Sequence, residues 1–360
     1  MVPEREWIDI PEMVGFNVTG RCNLKCAYCF QDGASGSPDP SYNEVADVLD
    51  QLNRMRVKEV LIEGGELLCA PFIERLLAKL KDCCFRSHLI SNGTLVNQSI
   101  ARMIKKSNAS IGISVDGPTE ESNRFRGAYA FHKAIDAINT LVREGVPTYV
   151  NCTVTNSNAD LIGELVQLCS RLHVSGIVMQ QLHCSGKASA SFYEKNFITL
   201  SQLGRLKNLM PELKDRHREL HFVESEILDL INARDRYHSI CEAGREYMPK
   251  KIFRCATGRR FCLILSNLDV VPCGIMEDFV CGNLSDRSLD DIWKHSEKLS
   301  DLRELSGTRV DRIVGCENCT YNPICDGGCR ADMYNHSGDW LAPHIFCPYN
   351  RYAHYSSDYS

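Results

Sequence analysis

Cysteine placement constrains this chain more than any other feature. Three of its nineteen cysteines, Cys22, Cys26 and Cys29, fall within eight residues, and five more, Cys316, Cys319, Cys325, Cys329 and Cys347, crowd residues 316–347. The count is odd and the 360-residue chain is not a short secreted one, so a disulfide framework accounts for the thiols poorly. Clustered thiols that must converge are better read as metal ligands.

The scaffold that could hold two such foci is read from hydrophobic period. Between residues 14 and 182, short apolar segments rich in β-branched residues alternate with longer segments of helical period, which predicts repeated βα units. Six strands are expected, at 14–19, 58–62, 87–91, 111–115, 148–154 and 176–182. Val45, Val48, Leu49 and Leu52 mark one apolar helix face, and Ile135, Ala137, Ile138 and Leu141 another. Parallel strands with crossover helices follow, as a partial barrel or an open sheet, and either places an active site at the carboxyl ends of the strands.

Residues 186–250 are more polar and mostly helical in pattern, and read as a connecting region. Apolar runs at 261–265 and 270–272 flank the turn-like pair Ser266 and Asn267, which predicts a β-hairpin opening a cysteine-rich second domain. The expected divisions are 10–185, 186–250 and 251–350. With 44 % hydrophobic residues the chain can fill such cores. Its net charge of −5, without a basic run interleaved with aromatics, argues against nucleic acid as a partner. The first residues lack the charged start and apolar core of an export signal and no later stretch is suited to spanning a bilayer, so no membrane partner and a cytoplasmic location are expected.

Cys22, Cys26 and Cys29 follow the first strand directly, on a strand-to-helix loop. Three thiolates on a four-iron cubane leave one iron open to a small molecule. A zinc loop or buried free cysteines are the alternatives, but zinc wants a fourth nearby ligand and none stands here. The spacing, with Tyr28 just before the last cysteine, resembles the cluster-binding loop of the radical S-adenosylmethionine (SAM) superfamily. In that family the open iron takes the amine and carboxylate of SAM, and an electron passed to the sulfonium yields a 5′-deoxyadenosyl radical.

Other segments resemble the family at matching places. Gly64, Gly65 and Glu66 follow the second strand like the family's motif for the SAM methionine amine, and glycines there permit close backbone approach. Ser91 and Asn92 end the third strand, and Ser114 and Asp116 the fourth, like segments near the SAM ribose and methionine, although Asn or Asp with Gly is also ordinary turn chemistry. Asn151 and Thr153 on the fifth strand, and Leu182 ending the sixth, complete the candidate SAM contacts.

In the distal region Cys316, Cys319, Cys325, Cys329 and Cys347 are preceded by Cys255, Cys262 and Cys273. The pattern, with Pro323, Gly327 and Gly328 inside it, resembles the SPASM extension of radical SAM enzymes; tandem zinc ribbons are the alternative. The resemblance covers about residues 14–347 and implies a partial (β/α)6 TIM-like barrel followed by a small α+β SPASM domain with a β-hairpin. It implies three [4Fe-4S] clusters: one on Cys22, Cys26 and Cys29, one on Cys255, Cys262, Cys273 and Cys329, and one on Cys316, Cys319, Cys325 and Cys347. Cys281 is a possible substitute for Cys262. Most of the remaining cysteines, Cys69, Cys83, Cys84, Cys152, Cys169, Cys184 and Cys241, read as small buried hydrophobes, and the eleven histidines show no ligand spacing.

SPASM enzymes mostly modify peptides, so a ribosomally made precursor peptide is the expected substrate, undergoing oxidative side-chain modification or crosslinking. An electron donor such as flavodoxin or ferredoxin is implied, and a separate peptide-recognition protein could deliver the peptide. Sulfatase-maturing relatives carry an aspartate directly after the third cysteine of this region; Gly274 stands here, leaving Glu277 and Asp278 as candidates for a catalytic acid-base. The alternatives are oxidation or decarboxylation of a small molecule, such as a tetrapyrrole side chain or an amino-sugar, and a non-catalytic iron-sulfur carrier or sensor.

Overall fold

Seven parallel strands, joined by helices that lie against one face, build the bulk of the molecule. The computed structural model describes residues 7–31, 39–224, 256–322, 325, 327–347 and 349. The strands are β1 (Met13–Asn17), β2 (Glu59–Glu63), β3 (Arg86–Ser91), β4 (Ser110–Ser114), β5 (Thr148–Val154), β6 (Gly176–Gln181) and β7 (His221–Glu224). They pair in sequence order, parallel throughout. Helices α1 (Tyr42–Met55), α2 (Ile73–Leu80), α3 (Gln98–Lys106), α4 (Ala130–Arg143) and α5 (Ile162–Arg171) make the crossovers, and α6 (Ala190–Asn196) and α7 (Leu200–Arg216) lead into β7.

All six expected strands form, with ends within two residues of those read from the sequence. The seventh, β7, lies in the segment read as a helical connector. Its four residues alternate between exposed and half-buried, and pairing with β6 determines its conformation.

The two faces of the sheet differ as strand periodicity requires. Val14, Phe16, Val60, Ile62, Leu89, Ile111, Ile113, Val150 and Ile177 are buried in the main core with the apolar faces of the helices. On α1 that face is Val45, Val48, Leu49 and Leu52, each contributing about 1.5–3 kcal/mol by burial. A capping box between Ser41 and Glu44 starts the helix. The strand register puts Gly15, Glu63, Ile90, Gly112, Asn151 and Val178 on the opposite, inner face.

The sheet continues past its first strand into the C-terminal region. Strand β8 (Phe261–Ile264) pairs parallel with β1, β9 (Asp269–Val271) forms the expected hairpin with it, and β10 (Gly282–Asn283) pairs with β9. One ten-stranded sheet therefore runs through both regions. Helices α8 (Leu289–His295), α9 (Glu297–Ser306) and α10 (Arg330–Ser337) follow. A second apolar cluster of Met276, Leu302, Val310, Ile313 and Ala331 packs against Cys273, Cys316 and Cys329.

Candidate active site

The loop after β1 carries Cys22, Cys26 and Cys29 across the carboxyl ends of the strands, and backbone contacts hold it there. Ala27 N–H donates to Phe125 O at 2.8 Å and Lys187 N–H to Cys29 O at 2.9 Å, from the loops after β4 and β6. Gly65 N–H and Glu66 N–H donate to Thr19 O and Arg21 O. A Cβ at Gly65 would sit 2.5 Å from Arg21 O, so the glycine is needed for the end of β2 to dock on the cysteine loop. Burial raises all three thiols above their ordinary range, Cys29 to about 11, and neighbouring thiols add to the rise at Cys26 and Cys29. Such desolvated, convergent thiols suit a metal that binds them as thiolates.

Glu66 is buried, and its carboxylate faces its own chain. Leu68 N–H, the Ser91 hydroxyl at 2.7 Å and Asn92 N–H at 2.7 Å all donate to it. Burial raises its carboxyl pKa, and these donors oppose the rise. Glu66 thus ties the ends of β2 and β3 together. Asn92 Nδ2 donates to Asn23 Oδ1, and Asn23 Nδ2 to Thr94 Oγ1, fastening the residue after Cys22.

Asp116 is the hub of the rim beyond β4. Tyr28 donates its hydroxyl to Asp116 Oδ2, Arg126 grips both carboxylate oxygens at 2.8 Å, and Thr153 N–H donates at 3.0 Å. Asn123 Oδ1 accepts from Asp116 N–H. Burial opposes the Arg126 charge, and Asp116 more than offsets it; burial also holds the Tyr28 phenol protonated.

Ser114 and Asn151 are register partners on the inner face. A Cβ at Gly112 would overlap the Asn151 amide, so this glycine makes room for it. Asn151 Oδ1, Asn17 Oδ1 and Gln31 Nε2 are buried without a hydrogen-bond partner. Three orphaned polar atoms around one cysteine loop fit a polar cofactor better than a structural zinc loop. Leu182 is buried at the end of β6, and the loop after it crosses the cysteine loop, where a Cβ at Gly186 would overlap Cys29 O and Phe30 O.

The inner face also carries a carboxylate pair. Glu63 Oε1 lies over Gly15, beside Phe261 and Leu263. Burial, and then the charge of Glu277, raise the Glu63 carboxyl to about 7. Glu277 is thus close enough to act on Glu63 and is half-buried, whereas Asp278 is exposed. Gly274 stands against the Phe30 ring, so the loop after Cys273 touches the first cysteine loop.

In the C-terminal region Cys273, Cys316 and Cys329 gather on the second apolar cluster. Cys319 N–H donates to Cys316 O, Gly327 N–H to Cys325 Sγ, and Asn322 Nδ2 to Cys316 O. The buried Arg330 guanidinium donates to Gly327 O and Ala342 O, tying the Cys325 loop to the segment before Cys347. Cys255, Cys241 and Pro323 lie outside the described residues. Cys262 is fully buried in the main core on the helix-facing side of β8, with the Cys281 thiol and the Arg303 guanidinium nearby. The expected alternatives, Cys262 and Cys281, therefore lie together, packed in the main core and not in the cluster that Cys273 and Cys329 join.

Residues 16–169 match the radical SAM superfamily, and residues 255–320 match SPASM, the iron-sulfur cluster-binding domain. The chain belongs to the radical SAM superfamily. It is 26 % identical to the AdoMet-dependent heme synthase of Nitratidesulfovibrio vulgaris over 94 % of this chain and 92 % of that protein. It is 28 % identical to the mycofactocin maturase MftC of Mycolicibacterium smegmatis over 91 % and 80 %. The fold resembles Streptococcus suis SuiB bound to its precursor peptide SuiA, with a TM-score of 0.75 at 18 % identity, covering 96 % of this chain and 77 % of that one. This radical SAM enzyme thus has a TIM-like partial barrel with a C-terminal SPASM domain, and iron-sulfur clusters with SAM as its cofactors. Among the described residues no helix is long and apolar enough to cross a membrane.

Sequence reasoning missed Arg126 and Asn123, which meet Asp116 within its own loop, and Glu63 and the pair His183 and Asp332, whose partners are distant in sequence. Only Glu63 left a local signal, as a charged residue that follows the apolar run Val60, Leu61 and Ile62 and precedes two glycines.

Proposed function

We propose that this enzyme oxidatively modifies or crosslinks a ribosomally made precursor peptide. The observation that carries the reading is the contact between the two cysteine regions: Gly274, next to Cys273, lies against Phe30, next to Cys29. A substrate held between them is close to both. When bound, a SAM-ligating [4Fe-4S] cluster would supply the electron that cleaves SAM to methionine and a 5′-deoxyadenosyl radical for hydrogen abstraction, and two auxiliary [4Fe-4S] clusters would serve as electron acceptors.

The chain's own residues have separable tasks. Cys22, Cys26 and Cys29 hold the first cluster, and the Gly64 and Gly65 backbone with Asn151, Ser114, Ser91 and Asn92 orients SAM. Asp116 and Glu66 position that shell, since their carboxylates are already engaged by protein donors. Substrate oxidation releases a proton as well as electrons, and Glu63 with Glu277 is placed to hold it on Oε1 of the neutral partner. Residues 10–185 would carry the radical chemistry, 186–250 connect, and 251–350 hold the auxiliary clusters. A flavodoxin or ferredoxin in the cytoplasm would supply the initiating electron, and a separate recognition protein could present the peptide.

The similarity to MftC, a maturase, and the fold shared with peptide-bound SuiB support a peptide. Oxidation of a small molecule such as a tetrapyrrole side chain is the second reading, favoured by the similarity to heme synthases along nearly the whole chain. The test is anaerobic: reduce the reconstituted enzyme, add SAM, and quantify 5′-deoxyadenosine and substrate mass with a short peptide encoded beside its gene or with a tetrapyrrole. Acceleration and a mass change with the peptide support the first reading; a response to the tetrapyrrole alone supports the second.

A further inference from the structure

Glu63 ends β2 on the inner face, immediately before the two glycines, and its carboxylate leans away from the SAM shell. Its Oε1 lies 3.2 Å from the point where a Cβ would stand on Gly15, and that point is 2.6 Å from Leu263 Cδ1 and 3.2 Å from the Phe261 ring. The carboxylate therefore reaches across β1 towards β8, whereas Ser91, Ser114 and Asn151 stand on β3, β4 and β5. Gly15 leaves the floor beneath it open, and Phe261 and Leu263 give it apolar walls.

Among the described residues no hydrogen-bond donor and no Lys, Arg or His side chain pairs with this carboxylate, and Glu277 adds a second negative charge nearby. An independent observation marks the same place. Asn17 is the register partner of Glu63 on β1, is 5 % exposed, and keeps its Oδ1 without a donor. Buried acceptors without donors are rare in folded chains and point to a missing partner. Carboxylate and amide oxygen both accept, so the partner must donate, and the excess negative charge calls for a cation.

We propose that Glu63 and Asn17 select the substrate peptide by binding one of its lysine or arginine side chains. The charged head donates to the Glu63 carboxylate and Asn17 Oδ1, and the methylene stem lies along Phe261 and Leu263. Gly65 docks the end of β2 on the cysteine loop, so a residue held here lies beside that loop. The ion pair also keeps Glu63 ionised against its burial, the state that accepts the proton of substrate oxidation. An anionic group such as a tetrapyrrole carboxylate is repelled at the same place.

The inference rests on the peptide reading, and a binding experiment separates the two. Reconstituted enzyme with SAM is titrated calorimetrically with n-butylammonium, which is the lysine side chain alone, with neutral n-pentanol and with anionic valerate. Butylammonium should bind at least about tenfold more weakly to Glu63→Gln, which keeps the shape of the site, and more weakly also to Asn17→Leu. Pentanol should not distinguish the proteins, and valerate should be the poorest ligand. Equal butylammonium affinity in wild type and Glu63→Gln, or a preference for valerate, would overturn the inference. So would a matching loss of SAM affinity in Glu63→Gln, which would assign the carboxylate to the SAM ammonium. In turnover of the peptide encoded beside the gene, norleucine in place of one Lys or Arg should raise KM about tenfold with wild type and leave the KM of Glu63→Gln unchanged. Modification of a peptide lacking Lys and Arg with unchanged KM would contradict the assignment. If butylammonium binds through Glu63 yet only the tetrapyrrole is turned over, the cation site stands and the peptide reading fails.

Discussion

Tyr28 donates its hydroxyl to the buried carboxylate of Asp116, joining the middle of the cysteine loop to the end of β4. Since Arg126 grips the same carboxylate, Asp116→Ala strands a buried guanidinium and should destabilise the fold by about 3–5 kcal/mol. Tyr28→Phe removes one hydrogen bond and should lose about 1 kcal/mol. Thermal unfolding of the two variants checks the order; equal small effects would deny Asp116 its role as hub.

Gly65→Ala places a methyl group against the Arg21 carbonyl, which is backbone and cannot swing away. The variant should lose the iron of the first cluster while keeping that of the C-terminal region. Iron counting on Gly65→Ala beside Cys26→Ala is the check, with matched losses expected.

Glu63 gives stability a pH dependence of known sign. Its folded carboxyl titrates near 7 against an ordinary 4.5, so between those values the folded state binds more protons than the unfolded one. Stability from this group should therefore fall as pH rises from about 4.5 to 7. Glu63→Gln should flatten that fall, by about 1–3 kcal/mol across the window after allowance for its partial exposure. Denaturant titrations of apo protein at the two ends of the window measure it.

Asn151 Oδ1 has no protein partner and lies on the inner face with Ser114. Asn151→Ala should weaken SAM binding about tenfold, equivalent to about 1.4 kcal/mol, while the first cluster keeps its iron. Equilibrium dialysis with SAM reads this directly, and unchanged affinity would remove Asn151 from the SAM shell.

The parts legible beforehand are those written in local pattern. The βα alternation reports burial of Val14, Val60 and Ile111 through strand period, and of Val45 and Leu49 through helix period. Gly64 and Gly65 announce a close backbone approach because only the absence of Cβ permits it. Strand β7 was hidden because its His and Glu have little strand preference of their own and its pairing with β6 is tertiary. Cys262 shows a different limit, since which face of β8 its thiol takes depends on register parity, which spacing along the chain does not reveal. Arg126 reaches Asp116 from within the loop that follows β4, and His183 reaches Asp332 from a segment far away in sequence, so no short motif marks either pair.

The central claim is a division of labour between a SAM-cleaving loop and a C-terminal acceptor region, and the most direct test compares Cys26→Ala with Cys319→Ala. Each variant is reconstituted and reduced anaerobically with SAM and substrate, and 5′-deoxyadenosine and product are quantified together. The account predicts no deoxyadenosine from Cys26→Ala, and from Cys319→Ala some deoxyadenosine without product. Equal loss of both species in Cys319→Ala, with its first cluster intact, would contradict it.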